Sequence, residues 1–275
     1  AAPDESGRPR LVIAPPRTRQ ANYVVGDSRV RAAQVSQAIA ARLSDILTQT
    51  RRFIVLDRQF GNELSNEFDL IASGAVRVQD GARLGEMLAT DLILVPVVER
   101  FEYPRETRRL RMSDRELVSY SGGGRIALRL LNATTGEVVL SDSFDYTLPS
   151  TAASTLPRVI DGDGMSRTMM AALADRIGKA VVSEIFPVTV VAVNGDQVIL
   201  SQGGEALQAG QRWQAITLGK ELTDPQTGRS LGRSEAPCCT IRIDRVGPQT
   251  SYGTIEQGAS AVDAAFRSGA IVLRE

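Results

Sequence analysis

The sequence predicts two parts: an α/β (α+β) N-terminal domain over residues 1–186, with a mixed sheet covered by helices, and a small all-β, barrel-like C-terminal domain over residues 187–275. Three observations predict this. Two long segments carry apolar residues at helical spacing, short apolar runs alternate with them, and past Pro187 brief apolar runs are separated by Gly, Asn, Asp and Pro. At 275 residues the chain also exceeds the usual span of one domain, about 100 to 200 residues.

Arg10 to Ala14 reads as a short strand, closed by Pro9 and by Pro15-Pro16, which cannot extend a ladder; a polar loop is expected after it. From Arg31 to Thr50, Val35, Ile39, Leu43, Ile46 and Leu47 recur on one helix face. Asp27 or Ser28 is expected to cap this helix, and Arg51-Arg52 suit its negative C-terminal end. Phe53 to Leu56 reads as a buried strand, Glu63 to Ala72 as a helix, and Gly81 to Ala89 as a short helix. Leu92 to Val98 is apolar enough for a central strand, although Pro96 predicts an edge or a bulge there. Arg125 to Asn132 and Glu137 to Tyr146 alternate around Ala133-Thr134-Thr135-Gly136, as the arms of an antiparallel hairpin do. A Pro- and Ser-rich link, Leu148 to Pro157, leads to a second helix, Ser166 to Ile185, with Met169, Leu173, Ile177 and Val181 four apart. Beyond Pro187, Val188 to Val193, Val198 to Leu200, Trp213 to Leu218, Thr240 to Val246 and Ile271 to Leu273 read as short strands of a barrel or sandwich.

Composition narrows the chemistry. Lys plus Arg and Asp plus Glu number 32 each, so net charge gives no reason to expect a nucleic-acid partner. The absence of histidine removes the usual general base and metal ligand, and with it the Ser-His-Asp and Cys-His readings. No catalytic, cofactor or metal residues are assigned. Cys238 and Cys239 are expected to be two small, unbridged, buried or half-buried side chains, because neighbours on a regular strand point to opposite faces. The start Ala1-Ala2-Pro3 reads as an exported protein after signal-peptide cleavage, and no apolar run reaches the roughly 20 residues of a spanning helix.

Other motifs have bland readings. Ser121-Gly122-Gly123-Gly124 lacks the Lys and the following helix of a phosphate loop. Asp161-Gly162-Asp163-Gly164 lacks the closing Glu of a calcium loop, and Asp163 and Ser166 are expected to cap the helix that follows. Asp142 and Asp145, three apart on a strand, point to opposite faces, which argues against an acid/base pair. Trp213, within an apolar run, is expected in the core. Asp224, Pro225 and Gly228 set a turn that could touch a partner. Arg105, Arg108, Arg109 and Arg111 form the densest basic cluster: a solvated hairpin tip that could contact a partner or anionic headgroups.

The long helix, Arg52-Phe53-Ile54-Val55-Leu56-Asp57-Arg58, the segment Ala89 to Val95, and Asn132-Ala133-Thr134-Thr135-Gly136-Glu137-Val138-Val139 together resemble the periplasmic domain of the CsgG family, the curli secretion channel. The resemblance runs over roughly residues 10 to 186. Val193 to Leu200, Gly210-Gln211-Arg212-Trp213 and the turn from Asp224 to Gly232 resemble the C-terminal domain of the flagellar assembly protein FlgT. These resemblances imply a non-catalytic periplasmic or outer-membrane-associated assembly factor that forms homo-oligomeric rings with copies of itself and partners with envelope machinery proteins. The channel family inserts amphipathic hairpins, whereas Tyr103 to Gly124 is crowded with charge and Leu148 to Gly164 has no alternating apolar run, so neither is expected to span. The family's lipidated N-terminal cysteine has no counterpart at Ala1. The resulting expectation is a ring or scaffold subunit of a flagellar basal body or secretion apparatus; the alternative is a curli-type export channel subunit.

Overall fold

One 18-residue strand organises the larger part of this computed structural model, which describes residues 7–56, 62–73, 78–111, 113, 115–204, 207–223, 225–226, 230–257 and 271–274. The chain divides into two units, Ala1–Glu184 and Ile185–Glu275. In chain order the first unit contains β1 (Arg10–Ile13), β2 (Arg17–Thr18), β3 (Asn22–Gly26), β4 (Ser28–Arg31), α1 (Ala32–Gln49), β5 (Ile54–Leu56), α2 (Asn62–Ser73), α3 (Val78–Leu88), β6 (Leu92–Arg109), β7 (Glu116–Tyr120), β8 (Gly122–Asn132), β9 (Val138–Leu148) and α4 (Gly162–Ile185).

Along one edge β6 pairs in parallel with β1, β2 and β3 in succession; along the other it pairs antiparallel with β8 and, past the sheet body, with β7. β5 lies parallel to β1 on its outer side, β4 pairs with β3, and β9 pairs with β8. The sheet is therefore mixed and carries helices on both faces. Ile93, Val95, Leu131, Val12 and Ala14 form one core cluster with Phe68 and Ile71 of α2 and Leu84 and Leu88 of α3. On α1 the helical repeat holds: Val35, Ile39, Leu43 and Leu47 are buried where the helix meets β1, β2, β4 and β5. α4 buries Met169, Leu173, Ile177 and Val181, and Gly178 brings it within reach of Ile46 on α1.

Several expectations are corrected. The polar loop after β1 is instead β2 and the β3–β4 hairpin, in which Tyr23 and Val25 are buried while Asn22 and Val24 face out. Asp27 and Ser28 therefore belong to that hairpin and do not cap α1, whose N-cap is Arg31 in extended conformation with no side-chain cap bond. Arg51-Arg52 lies beyond the helix rather than in its last turn, with Arg51 at φ 55°. Pro96 is neither at an edge nor at a bulge; it sits in register opposite Leu128 in mid-sheet. Leu94 O accepts from Ala14 N on the β1 side, and alternate residues project their backbone groups to the same side, so the nitrogen of Pro96 faces the gap where Pro15-Pro16 break the neighbouring ladder. α4 is capped by Asp161, whose carboxylate accepts from Gly164 N at 2.9 Å; Asp163 lies in the first turn, and Ser166 is buried within the helix.

The bulge on β6 falls at Glu99. Val98 pairs with Ile126 and Arg100 with Arg125, so Glu99 is the extra residue. It resets the alternation so that Val98, Phe101 and Tyr103 are all fully buried on one face, as a regular strand would not allow at a spacing of three.

Asp91, at the start of β6, accepts from the backbone N–H of Arg10 at 2.7 Å and from its guanidinium at 3.0 and 3.2 Å. These bonds hold the Asp91 carboxyl below its usual pKa. A carboxylate whose folded pKa is depressed stabilises fully above its unfolded value, about pH 4, and loses that contribution as pH falls through the folded pKa. Asp91→Asn is therefore expected to be less stable than the parent at pH 6, with the difference shrinking below about pH 4; urea titrations at both pH values check it.

The second unit contains β10 (Val190–Asn194), β11 (Gln197–Leu200), β12 (Arg212–Thr223), β13 (Ser230–Val246), β14 (Ser251–Gln257) and β15 (Ile271–Arg274) in one antiparallel sheet, ordered β10-β11-β14-β13-β12-β15. β14 was not anticipated. Val190, Val198, Leu200, Ala215, Ile241, Ile243, Ile255 and Ile271 form its core, and Trp213 packs against it, donating its indole N–H to Gln211 Oε1 at 3.3 Å. The expectation of unbridged cysteines is corrected: the Cys238 and Cys239 sulfurs are joined as a disulfide. Ala215 pairs with Cys239 and Ile216 with Pro237, so Cys238 is the extra residue of a bulge. A bulge removes the strict alternation that would separate neighbouring side chains.

Candidate functional site

The cluster Arg105, Arg108, Arg109 and Arg111 lies on the β6–β7 hairpin, which is the end of β6 that runs past the sheet body. The two strands pair from Arg105 opposite Tyr120 to Arg109 opposite Glu116. Register sorts the arginines: Arg105 and Arg109 share one face, Arg105 at the hairpin base and Arg109 near its tip, Arg108 lies on the other face, and Arg111 is in the turn. All four are exposed. Among the described residues one ion pair involves them, Arg109 to Glu116 at 3.5 Å, and at such exposure it contributes little to stability. Met112 and Asp114 of the tip lie outside the described residues.

The base of the hairpin is fixed. Tyr103 and Tyr120 stack with centroids 6.2 Å apart. The Tyr103 hydroxyl donates to Pro149 O at 2.6 Å, and the Tyr120 hydroxyl donates to Asp27 at 3.0 Å. Burial raises both hydroxyls above their usual pKa; the Asp27 carboxylate adds to this at Tyr120 and nearby Arg158 opposes it at Tyr103, so both remain donors at neutral pH.

The second segment singled out in the sequence, Leu148 to Gly164, lies beside the first. Thr151 N donates to Tyr120 O at 3.0 Å, and Val118 and Ser154 exchange backbone bonds of 2.9 and 3.0 Å, so this strap runs along the outer edge of β7 towards the tip. It then returns to Ile160, which packs where Gly26 has no side chain; a Cβ there would stand 2.8 Å from Ile160. Between the bridge at Ser154 and this return, Leu156 and Val159 are 74% and 97% exposed, Val159 preceding Ile160 at the level of the hairpin base. The sequence marked the arginines, but nothing local marked the strap that bonds to β7 beside them.

Behind the hairpin, the face of the sheet that carries α2 and α3 continues into an open polar groove of about 560 Å³. Glu99, the bulge residue, lines it together with Arg19 and Arg125. Glu99 pairs with Arg19 at 2.9 Å and Arg125 at 3.0 Å, while Asp145 pairs with Arg125 at 3.4 Å and Arg100 at 3.8 Å. Asp145 is thus committed to ion pairs, and register puts Asp142 on the opposite face, so the two carboxylates do not form a pair. Of the turn in the second unit, Pro225 is exposed, and Asp224 and Gly228 lie outside the described residues. Among the described residues no group of three or more metal-ligating side chains occurs.

These features define an α+β protein with sheet-rich units and an arginine-tipped hairpin. The family of the curli production assembly/transport component CsgG matches residues 2–109, from before β1 to the last residue of β6. No curated protein matches the chain. Among solved structures, a hypothetical protein from Chlamydia trachomatis is 9% identical with a TM-score of 0.39, over 65% of this chain and 96% of that one. Lipoprotein GNA1162 from Neisseria meningitidis is 14% identical with a TM-score of 0.30, over 62% and 97%. The PelC dodecamer from Paraburkholderia phytofirmans is 10% identical with a TM-score of 0.30, over 65% and 87%. Likenesses this distant carry no argument about function.

Proposed function

We propose that the protein is a non-catalytic, periplasmic cell-envelope assembly protein, a ring or scaffold subunit of a flagellar basal body or secretion apparatus, working at the outer-membrane surface. The observation that carries the reading is the match of residues 2–109 to a family named for curli assembly and transport. The hairpin at the end of that match supports a scaffold over an export channel: lipid-facing arginines cost about 2 to 4 kcal/mol each at the bilayer midplane, and this tip carries four. β9 supports self-association, because its outer edge has no strand partner among the described residues and an open edge can pair with another chain. A head-to-tail contact using such an edge closes into a ring when the rotation allows.

The second unit would be a small barrel-like domain similar to that of FlgT. Supporting this, Leu273 N donates to Val188 O at 2.8 Å and Thr189 bridges to Val272, so the chain leading into β10 meets β15 at the other end of the strand order. The turn at Asp224, Pro225 and Gly228 would be a contact for envelope partners.

Light scattering with negative-stain imaging tests the reading. A large oligomer without detergent is expected, falling to monomer when Arg42, Asp45 and Asp142, exposed on α1 and β9, are reversed in charge. Monomer under all conditions would defeat the ring reading, and a ring formed only in lipid would favour the channel.

A further inference from the structure

We propose that the outer edge of β9 receives the outer edge of β4 from a second copy, a head-to-tail contact that carries the sheet from one chain into the next and that Arg176 guards. The inference deepens the ring reading and rests on it.

The two edges lie at opposite ends of the same part of the sheet. Ser28 on β4, Val25 on β3 and Tyr103 on β6 align in one transverse row, and Glu102 on β6, Gly123 on β8 and Thr147 on β9 align in the next. Ala32 N donates to Ala21 O at 2.9 Å, so alternation turns the backbone groups of Arg29 and Arg31 away from β3. Asn132 N donates to Glu137 O at 2.8 Å, and the same alternation, carried along the β8–β9 register, turns those of Ser141, Ser143, Asp145 and Thr147 away from β8. Among the described residues neither edge has a further strand partner.

Charge selects β4 as the occupant. β4 presents Arg29 and Arg31, and β9 presents Asp142 and Asp145; among the described residues Arg29, Arg31 and Asp142 are in no ion pair. Register puts Arg29, Arg31 and Asp145 on one face of a sheet continued in this way. A second β9 would instead set aspartates against aspartates, and β5, another end of the sheet, offers three half-buried apolar residues.

The middle of the β9 edge is closed in the single chain. Ser143 N donates to Asp142 Oδ1 at 2.7 Å, and the Arg176 guanidinium of α4 donates to Asp145 O while lying over the Tyr146 ring, 5.6 Å from its centroid. Such caps keep a strand edge from pairing indiscriminately. An incoming β4 displaces Arg176 and brings Arg29 and Arg31 to the carboxylates in its place, which an uncharged strand cannot do.

Sedimentation of the purified chain over a concentration series tests the proposal. Reversing Arg29 and Arg31 together to Glu should raise the midpoint concentration of assembly by about tenfold or more, and Asp142→Arg should act in the same direction. All three changes in one chain restore opposite signs across the contact and should recover most of the loss. Arg176→Met removes the guard but keeps a long side chain, and should lower the midpoint by roughly threefold to tenfold. All four side chains are exposed, so the variants should keep the parent circular dichroism and melting temperature. A parent oligomer indifferent to the reversals, or reversals that the combined variant does not rescue, would overturn the β4–β9 contact and leave the ring reading standing. A parent that stays monomeric overturns both, and an Arg176→Met chain that assembles no more readily than the parent overturns the guard.

Discussion

Truncating Phe101 to alanine is expected to destabilise the larger unit by about 3 to 5 kcal/mol, the usual range for removing a fully buried aromatic side chain. For a unit of this size that lowers the melting temperature by roughly 6 to 20 °C. Phe101 is completely buried and meets Tyr23 edge to face at a centroid distance of 5.9 Å, so truncation loses burial and leaves a cavity beside a ring that cannot collapse into it. Deleting Glu99, in the middle of the same strand, is expected to cost less, on the order of 1 to 2 kcal/mol. Glu99 is the extra residue of the bulge, so its removal leaves Val98, Arg100 and Phe101 in plain alternation opposite Ile126, Arg125 and Gly124. The loss is then the ion pairs to Arg19 and Arg125, both partly exposed and correspondingly weak. Urea unfolding of both variants supplies the check. If the deletion proves worse than Phe101→Ala, the account of how β6 keeps Phe101 and Tyr103 in the core is wrong.

That bulge also marks where the sequence stops being readable. Leu92 to Val98 is visible as a strand because almost every side chain in it is apolar, and the strand ends visibly where charge begins. Yet β6 continues for eleven residues through Glu99, Arg100, Glu102 and Arg105, because backbone pairing with β8 and β7 holds it whatever its outward side chains are. The same cause hid β14, whose three inward residues are Ser251, Gly253 and Ile255, only one of them a large apolar side chain. α1 and α4 were legible since four or more turns repeat a single apolar face, which no short strand can do. Caps were not: Asp27 offered a suitable carboxylate near α1, but its position in the β3–β4 turn commits it to Tyr120, ninety-three residues away. At the candidate site the arginines announced themselves, whereas the strap beside β7 became visible only through its pairing, Ser154 with Val118, far along the chain.

Gly123→Ala is expected to be among the most damaging single-methyl changes in the protein, although at an ordinary strand position such a change would be neutral or helpful by about 0.5 to 1 kcal/mol. A Cβ on Gly123 would stand 2.1 Å from Tyr146 O on β9, and one on Gly122 would stand 2.2 Å from Glu102 O on β6. Both obstacles are backbone atoms of paired strands, and β8 lies between them, so retreat from one drives it into the other. Gly122 adds a φ of 153°, outside what residues with a side chain readily adopt. Overpacking typically costs about 1 to 3 kcal/mol, and here the upper end or beyond is expected because no rotamer can relieve the clash. Gly124 makes the contrast: its added Cβ would meet Leu173 Cδ1 at 2.6 Å, the tip of a side chain that can turn away, so Gly124→Ala should stay within about 1 to 2 kcal/mol. The three adjacent glycines thus predict an ordered series in thermal unfolding, with Gly122 and Gly123 severe and Gly124 mild. The reverse order would mean that the run serves something other than the close approach of β6, β8 and β9. If the series holds, these glycines matter to the proposed assembly surface only through the packing of those strands, from which Tyr103, Tyr120 and the arginine tip project.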